Sequence, residues 1–261
     1  MTEVKKLLMG GFIGLGLLAG SCSSDSEEGQ TMAGSGSIQL GVTAKAGFTR
    51  AVNEADYQNT ANYTVQIVDN EDKVTKEFLY KDKESTDNKP IQLKNGSYTV
   101  KAFYGTDTPA SRDGFYVEGS TTVIVNGDTH TVNVDCYPTH GKAIAYFDPT
   151  MDNYFSDYSV VYETKALSAT DGTAIWAKAD TEPWYLKVDK EGEEITANIN
   201  FTRKDDGKST TIKQTYKLLP NKAWTLSIYP KDNNGSLSIE IIIDESTNDE
   251  VIDIIVPSEW I

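Results

Sequence analysis

Residues 194–201 read EITANINF, and their reading decides the fold. Ile195, Ala197, Ile199 and Phe201 fall on one side of an extended chain, with Thr196, Asn198 and Asn200 on the other. Apolar and polar residues alternating with a period of two mark a half-buried strand, because successive side chains leave an extended backbone on opposite faces. The same rhythm runs through SYTVKAFYG at 97–105, where Tyr98, Val100, Ala102 and Tyr104 oppose Thr99 and Lys101. It recurs in SLSIEIIID at 236–244, with Leu237, Ile239, Ile241 and Ile243 on one face. Turn chemistry stands between such runs. Asn126-Gly127 sits inside VIVNGDTHTVNV at 123–134, a strong local hairpin signal, and KNGS at 94–97, KDDGKS at 204–209 and KDNNGS at 231–236 act likewise. No ten-residue stretch carries a helical stripe. Many short strands with regular turns predict an all-β chain of antiparallel sandwiches.

The strand signals fall into two groups. Tyr137-Pro138-Thr139-His140-Gly141 separates them, and proline followed by glycine between strand-rich halves suits a short linker. The expected organisation is a first sandwich over 37–137 and a second over 138–261. Some 225 residues follow position 36, enough for such cores without covalent staples. Staples are not available in any case: the chain has two cysteines, Cys22 and Cys136, and the first has another reading.

That reading comes from the N-terminus. Lys5 and Lys6 precede the mostly apolar run Leu7–Ser21, which ends in the small residues Ala19, Gly20 and Ser21. A charged start, a short apolar core and a small-residue exit describe a secretory signal. The run is shorter than the roughly 20 residues a membrane helix needs, and it holds five glycines. Leu18-Ala19-Gly20-Ser21-Cys22 then resembles the lipobox of bacterial lipoproteins, with Leu18 one step earlier than the usual large aliphatic residue. The resemblance implies that residues 1–21 are removed and that Cys22 is acylated and becomes the new N-terminus. Two or three acyl chains hold essentially permanently, at about 0.8 kcal/mol per buried methylene. Ser23-Ser24-Asp25-Ser26-Glu27-Glu28 resembles the export signal of surface lipoproteins in Gram-negative anaerobes that build fimbrillin pili, and equally suits a solvated tether over 22–36. Such a leash reaches roughly 45–50 Å when extended.

The formal charge is −15, and removing residues 1–21 (Lys5 and Lys6 against Glu3) takes it to −16. Nucleic acid is excluded as a general electrostatic partner, because that needs a basic face. An acidic body is also repelled by anionic membrane surfaces, so attachment falls to the lipid on Cys22.

The layout as a whole resembles the fimbrillin-like surface lipoproteins: a lipobox, an acidic leash, a first strand ending near Thr-Arg-Ala, then two β-sandwiches of transthyretin-like topology. Here SIQLGVTAKAGFTRA ends in Thr49-Arg50-Ala51. The C-terminal Val256-Pro257-Ser258-Glu259-Trp260 is similar to the ending of a related, largely uncharacterised lipoprotein family. The resemblance implies an adhesion or accessory pilus protein at the cell surface, with pilus subunits or host or glycan ligands as partners and no cofactor or catalysis; the rival reading is a glycan-binding outer-membrane surface lipoprotein. Pilus-forming fimbrillins are cut after an arginine that follows the first strand, and Arg50 matches that position; the alternative is an ordinary arginine in the loop GFTRAVNEADYQN. The last strand, Val251–Val256, is expected to belong to the second sandwich with little chain left to donate, which favours an anchor, tip or accessory role over a repeating stalk unit.

Other chemistry is thin. His130, Cys136 and His140 share HTVNVDCYPTH, but His130 and Cys136 are about 20 Å apart on a strand, too far to share one ion. Cys136 beside Val132 and Val134 reads as a small buried hydrophobe. No Gly-x-Ser-x-Gly elbow is present. The acidic runs DNEDK at 69–73 and DESTNDE at 244–250 read as solvated turns. Trp176 and Trp184, in AIWAKADTEPWYLKV at 174–188, are the candidate ligand-contact aromatics for a glycan platform, against the plainer reading of tryptophans as core. Trp224 alternates with Leu226 and Ile228 and reads as core.

Overall fold

The computed structural model describes residues 34–48, 54–84, 89–178, 180, 182–233, 236–245 and 254–256. Cys22, Arg50 and Trp260, and with them the readings of an acylation site and a cut site, lie outside the described residues. Eight strands form in the first half: β1 (Ser35–Ala44), β2 (Thr64–Asp69), β3 (Val74–Leu79), β4 (Ile91–Lys94), β5 (Gly96–Gly105), β6 (Ala110–Ser111), β7 (Tyr116–Val125) and β8 (Thr129–Pro138). Nine follow: β9 (His140–Phe147), β10 (Phe155–Glu163), β11 (Ala174–Ala177), β12 (Trp184–Lys187), β13 (Glu193–Arg203), β14 (Ser209–Leu218), β15 (Ala223–Asn233), β16 (Ser236–Glu245) and β17 (Ile254–Val256). Helical structure among the described residues is limited to short turns such as Glu54–Gln58 and Lys165–Ala169. None is long and apolar enough to cross a membrane.

The N-terminal strands follow the order β3-β2-β5-β7-β8-β1-β4. The sheet doubles over between β7 and β8, whose pairing is confined to Val117 with Pro138 and Glu118 with Tyr137. Two layers result. Ile38, Leu40 and Val42 of β1, with Val132, Val134 and Cys136 of β8, pack against Val65 and Ile67 of β2 and Val100 and Ala102 of β5. Asn126-Gly127 does turn the chain, with Gly127 at φ +102°, but the strands it joins belong to opposite layers for most of their length. The crossing needs close backbone approach at Gly119: a Cβ there would stand 2.2 Å from the Asp135 carbonyl oxygen.

The second sandwich packs a four-stranded sheet, β11-β10-β13-β14, on a six-stranded one, β17-β16-β15-β9-β12-β6. Ile195, Ala197, Ile199 and Phe201 of β13 are all buried in its core, as the alternation in EITANINF predicts. Asn198 is buried as well, and its amide donates to the Glu163 carboxylate at 2.7 Å. β17 pairs with β16, so the last described strand completes its own sheet. Two ladders depart from the antiparallel expectation: β1 runs parallel to β8, and β9 parallel to β15. Period-two alternation reports which face is buried and is the same for both directions, so pairing sense was not readable from it.

Pro138 and His140, in the predicted linker, are the last residue of β8 and the first of β9. A single residue separates two strands of different sandwiches. The acidic run at 69–73 is a tight turn, as expected: Asp69 Oδ1 accepts from the backbone N–H groups of Glu71 and Lys73, both at 3.0 Å, and Asp72 takes φ +59°.

Candidate functional site: the joint between the sandwiches

The two sandwiches fall within one compact unit, and the sequence trades strands across the joint. β6 comes from the N-terminal half yet pairs with β12 at the edge of the six-stranded sheet, Ser111 opposite Tyr185 and Ala110 opposite Leu186. Tyr185 and Leu186 are adjacent on a strand, so they point to opposite faces, and both are 0% exposed. Leu186 enters the C-terminal core, while Tyr185 enters the N-terminal one. There it meets Phe115 at 5.1 Å and Phe48 at 5.6 Å between ring centroids. Phe115 also stacks on Tyr57 at 3.8 Å, and Tyr57 meets Tyr104 at 5.0 Å. A run of aromatic rings in the N-terminal core thus takes in a tyrosine from a C-terminal strand, and pairs at such separations add about 0.5–1.5 kcal/mol beyond the area they bury.

This changes the picture of the GFTRAVNEADYQN loop. Phe48 and Tyr57, near its ends, are both buried, while its middle, with Arg50, lies outside the described residues. Residues 45–47 are also clipped to the second sandwich. Asn221, at φ +60°, accepts from the Gly47 N–H at 2.7 Å and donates its amide to the Lys45 carbonyl at 3.0 Å. Asparagine is among the few residues that hold this left-handed conformation at small cost.

Arg112 lies just past β6. Its guanidinium forks onto the Asp180 carboxylate and donates to the carbonyls of Glu182 at 2.8 Å and Ile175 at 2.9 Å. It also lies 4.5 Å over the ring of Trp184. The two candidate aromatics meet here, in a different role. Trp176 Nε1–H donates to the same Glu182 carbonyl at 2.5 Å, and Trp184 Nε1–H to the same Ile175 carbonyl at 2.9 Å. Trp176 is 2% exposed, so it has no free face for a sugar. Trp184 packs against the C-terminal core and is covered by the guanidinium. The expectation of a glycan platform on this pair is corrected for the buried Trp176, and the two indole N–H groups instead tie the 175–184 segment to itself across its two ends. Trp224 is partly buried against the same core, as its alternation implied.

His140 is a strut of the joint. Fully buried, it donates from Nε2 to the Thr108 carbonyl at 2.8 Å, and its Nδ1 accepts from the Thr139 hydroxyl at 3.0 Å and the Tyr116 N–H at 3.4 Å. This arrangement fits the neutral ring, and burial holds its pKa below the ordinary histidine value. His130 is elsewhere, bonded to Asn126 at 2.8 Å. Cys136 is 0% exposed, its thiol bonded to the Ala102 carbonyl at 3.5 Å and pushed up to about 12 by burial. Among the described residues no three His, Cys, Asp or Glu side chains are grouped to hold a metal ion.

Sequence reasoning missed Arg112, His140, Asn221 and Tyr185 as the residues of the joint. Each acts on groups far along the chain, such as Asp180 from position 112, and no local pattern marks such a pairing.

No curated protein matches the sequence. Among solved structures, the chain is similar to a fimbrial assembly protein from Parabacteroides distasonis, at 13% identity and a TM-score of 0.43, over 85% of this chain and 98% of that one. It is also similar to the fimbrial anchor protein Mfa2 from Porphyromonas gingivalis, at 11% identity and a TM-score of 0.43, over 84% and 99% of the respective chains. The family model described as a domain of unknown function, DUF4493, matches residues 34–258, and the chain belongs to that family.

Proposed function

We propose that this chain is a surface-exposed, lipid-anchored, non-enzymatic protein of fimbrillin-like type, acting in adhesion or as an accessory component of a pilus. Acyl chains on Cys22 hold it at the outer membrane, the acidic leash over 22–36 lifts it clear, and the sandwiches at 37–137 and 138–261 form the working body. The observation that carries this reading is the joint. A strand exchanged between halves, a shared aromatic run and a four-bond arginine staple favour a body that transmits load over one whose halves close on a substrate. β1 lies between β4 and β8, and β17 pairs within its own sheet, which supports an anchor or accessory place over a strand-donating stalk unit.

Intact-mass analysis of the protein taken from cells, before and after protease shaving, tests the proposal. An acylated product starting at Cys22 and lost on shaving is expected, and Cys22→Ser is expected to release the protein from the envelope. A product starting at Ala51 would add processing after Arg50. An unacylated soluble form, or a Cys22→Ser protein that stays with the envelope and remains open to protease, would overturn the reading.

A further inference from the structure

Beside the joint lies a cleft of about 1540 Å³, larger than the roughly 300–1,000 Å³ that suits one small molecule. One wall is the solvent face of the N-terminal sheet, where Lys101 lies between Gln66 and Ser120 in register and Phe103 lies opposite Glu118. The outer face of β8 adds Asn133, Asp135 and Tyr137. The facing wall comes from the C-terminal sandwich, with Lys187, Lys190 and Lys222.

The charge balance here is the reverse of the chain's. Four lysines and two carboxylates line the cleft, in a protein with 24 basic and 39 acidic residues. Asp135 is already engaged by the Thr43 hydroxyl and by Lys45 at 3.2 Å, and Lys187 is paired with Asp107 at 2.7 Å. Lys101 and Lys190 are exposed and make no ion pair among the described residues. Lys101 and Lys190 therefore bring charge without an ion-pair partner to the cleft, one from each sandwich.

The rest of the lining mixes aliphatic residues, among them Val188, Leu219 and Pro220, with amide, hydroxyl and aromatic groups. Asn133 offers donors and an acceptor, Gln66 an acceptor and the N–H that its 2.7 Å bond to Glu77 leaves over, and Ser120 and Thr121 offer hydroxyls. Tyr137 is 47% exposed, with the Lys45 ammonium 5.4 Å from the centre of one face of its ring, and Phe103 and Tyr116 sit 6.0 Å apart at the cleft wall. An apolar helix or a lipid tail would need a continuous apolar floor. A peptide held by its side chains would need an apolar anchor pocket. The four lysines and the amide and hydroxyl groups set among the apolar residues favour instead an occupant that carries both negative charge and hydrogen-bonding groups along its length.

The geometry points to an acidic oligosaccharide as the occupant: a chain of sugar rings whose hydroxyls meet the amides, whose faces meet the tyrosine and phenylalanine rings, and whose carboxylates meet Lys101 and Lys190. This inference stands apart from the anchoring reading, because the Cys22→Ser chain is expected to bind equally well.

The test is calorimetric titration of the full-length chain in detergent with oligogalacturonate and with hyaluronan oligomers, using a malto-oligosaccharide as the neutral control and oligoglutamate as the acidic peptide control. At least one uronate oligomer is expected to bind, more tightly than either control, and to weaken as salt is raised. Lys101→Gln/Lys190→Gln, with both positions exposed, is expected to melt like the unaltered protein yet bind at least about tenfold more weakly. Tyr137→Ala is expected to weaken binding while leaving its salt dependence unchanged. The inference is overturned if neither uronate binds, or if the double variant binds as well as the unaltered chain. It is equally overturned if the malto-oligosaccharide matches the uronates, or if oligoglutamate does, which would give the cleft to acidic peptides.

Discussion

Replacing Arg112 by alanine is the sharpest test of the joint. The side chains of Arg112 and Asp180 are 25% and 23% exposed, so the pair is neither a surface contact nor a fully buried one. Exposed pairs contribute about 0.2–1 kcal/mol, whereas breaking a buried pair costs about 3–5 kcal/mol because one charge is left without a partner. Here the stranded Asp180 carboxylate and the carbonyls of Glu182 and Ile175 regain some water, which lowers the cost. The ring contact with Trp184 adds about 0.5–1 kcal/mol. The expected loss is about 2–3 kcal/mol, which for a chain of this size lowers Tm by about 5–10 °C. Thermal unfolding followed by near-UV circular dichroism measures it, and acrylamide quenching of tryptophan fluorescence reports the uncovering of Trp184. Arg112→Lys keeps the charge but not the fork, and is expected to lose most of the same stability. Arg203→Ala, which removes pairs with the 62% exposed Asp205 and with Asp206 on a hairpin turn, serves as the control and is expected to lower Tm by less than Arg112→Ala does. If Arg112→Ala melts like that control and Trp184 is no more quenchable, the staple contributes nothing and the argument for a locked joint fails.

The remaining predictions concern single residues. His140 has a folded-state pKa below the unfolded value of about 6.5, so its neutral form contributes stability above that pH, and the contribution is lost as pH falls through the folded value. Urea midpoints are expected to fall between about pH 7.5 and 5.5, and His140→Gln is expected to flatten that slope; an unchanged slope would remove His140 as its source. Gly119→Ala sets a Cβ 2.2 Å from the Asp135 carbonyl oxygen, backbone against backbone, and is expected to cost more than about 2 kcal/mol by chemical denaturation. Gly127→Ala has open space around it and a strained φ only, so about 1 kcal/mol is expected; similar losses at the two sites would contradict the close crossing at Gly119. In a Cys22→Ser background, the Cys136 thiol is expected to resist a maleimide at neutral pH until denaturant is added, and prompt labelling of the folded protein would show that it is not buried.

The strands and their buried faces were written in local pattern. EITANINF, SYTVKAFYG and the turn residues between such runs fix which residues can be covered, because an extended chain sorts its side chains by parity whatever it packs against. The signal-like start, the cysteine that ends it and the acidic balance are likewise properties of the chain as a string. What local pattern cannot carry is the partner of each strand. The parallel pairing of β1 with β8, the passage of β6 into the other sandwich and the burial of both Tyr185 and Leu186 depend on residues tens of positions apart. The same holds for the tryptophans. Trp176 and Trp184 carry one composition signal for core and for ligand platform, and only the arrival of Arg112 from a distant strand end decides between them. Periodicity sets what must be hidden from water; long-range packing, which costs chain entropy and is repaid only when the whole set of contacts forms, decides what hides it.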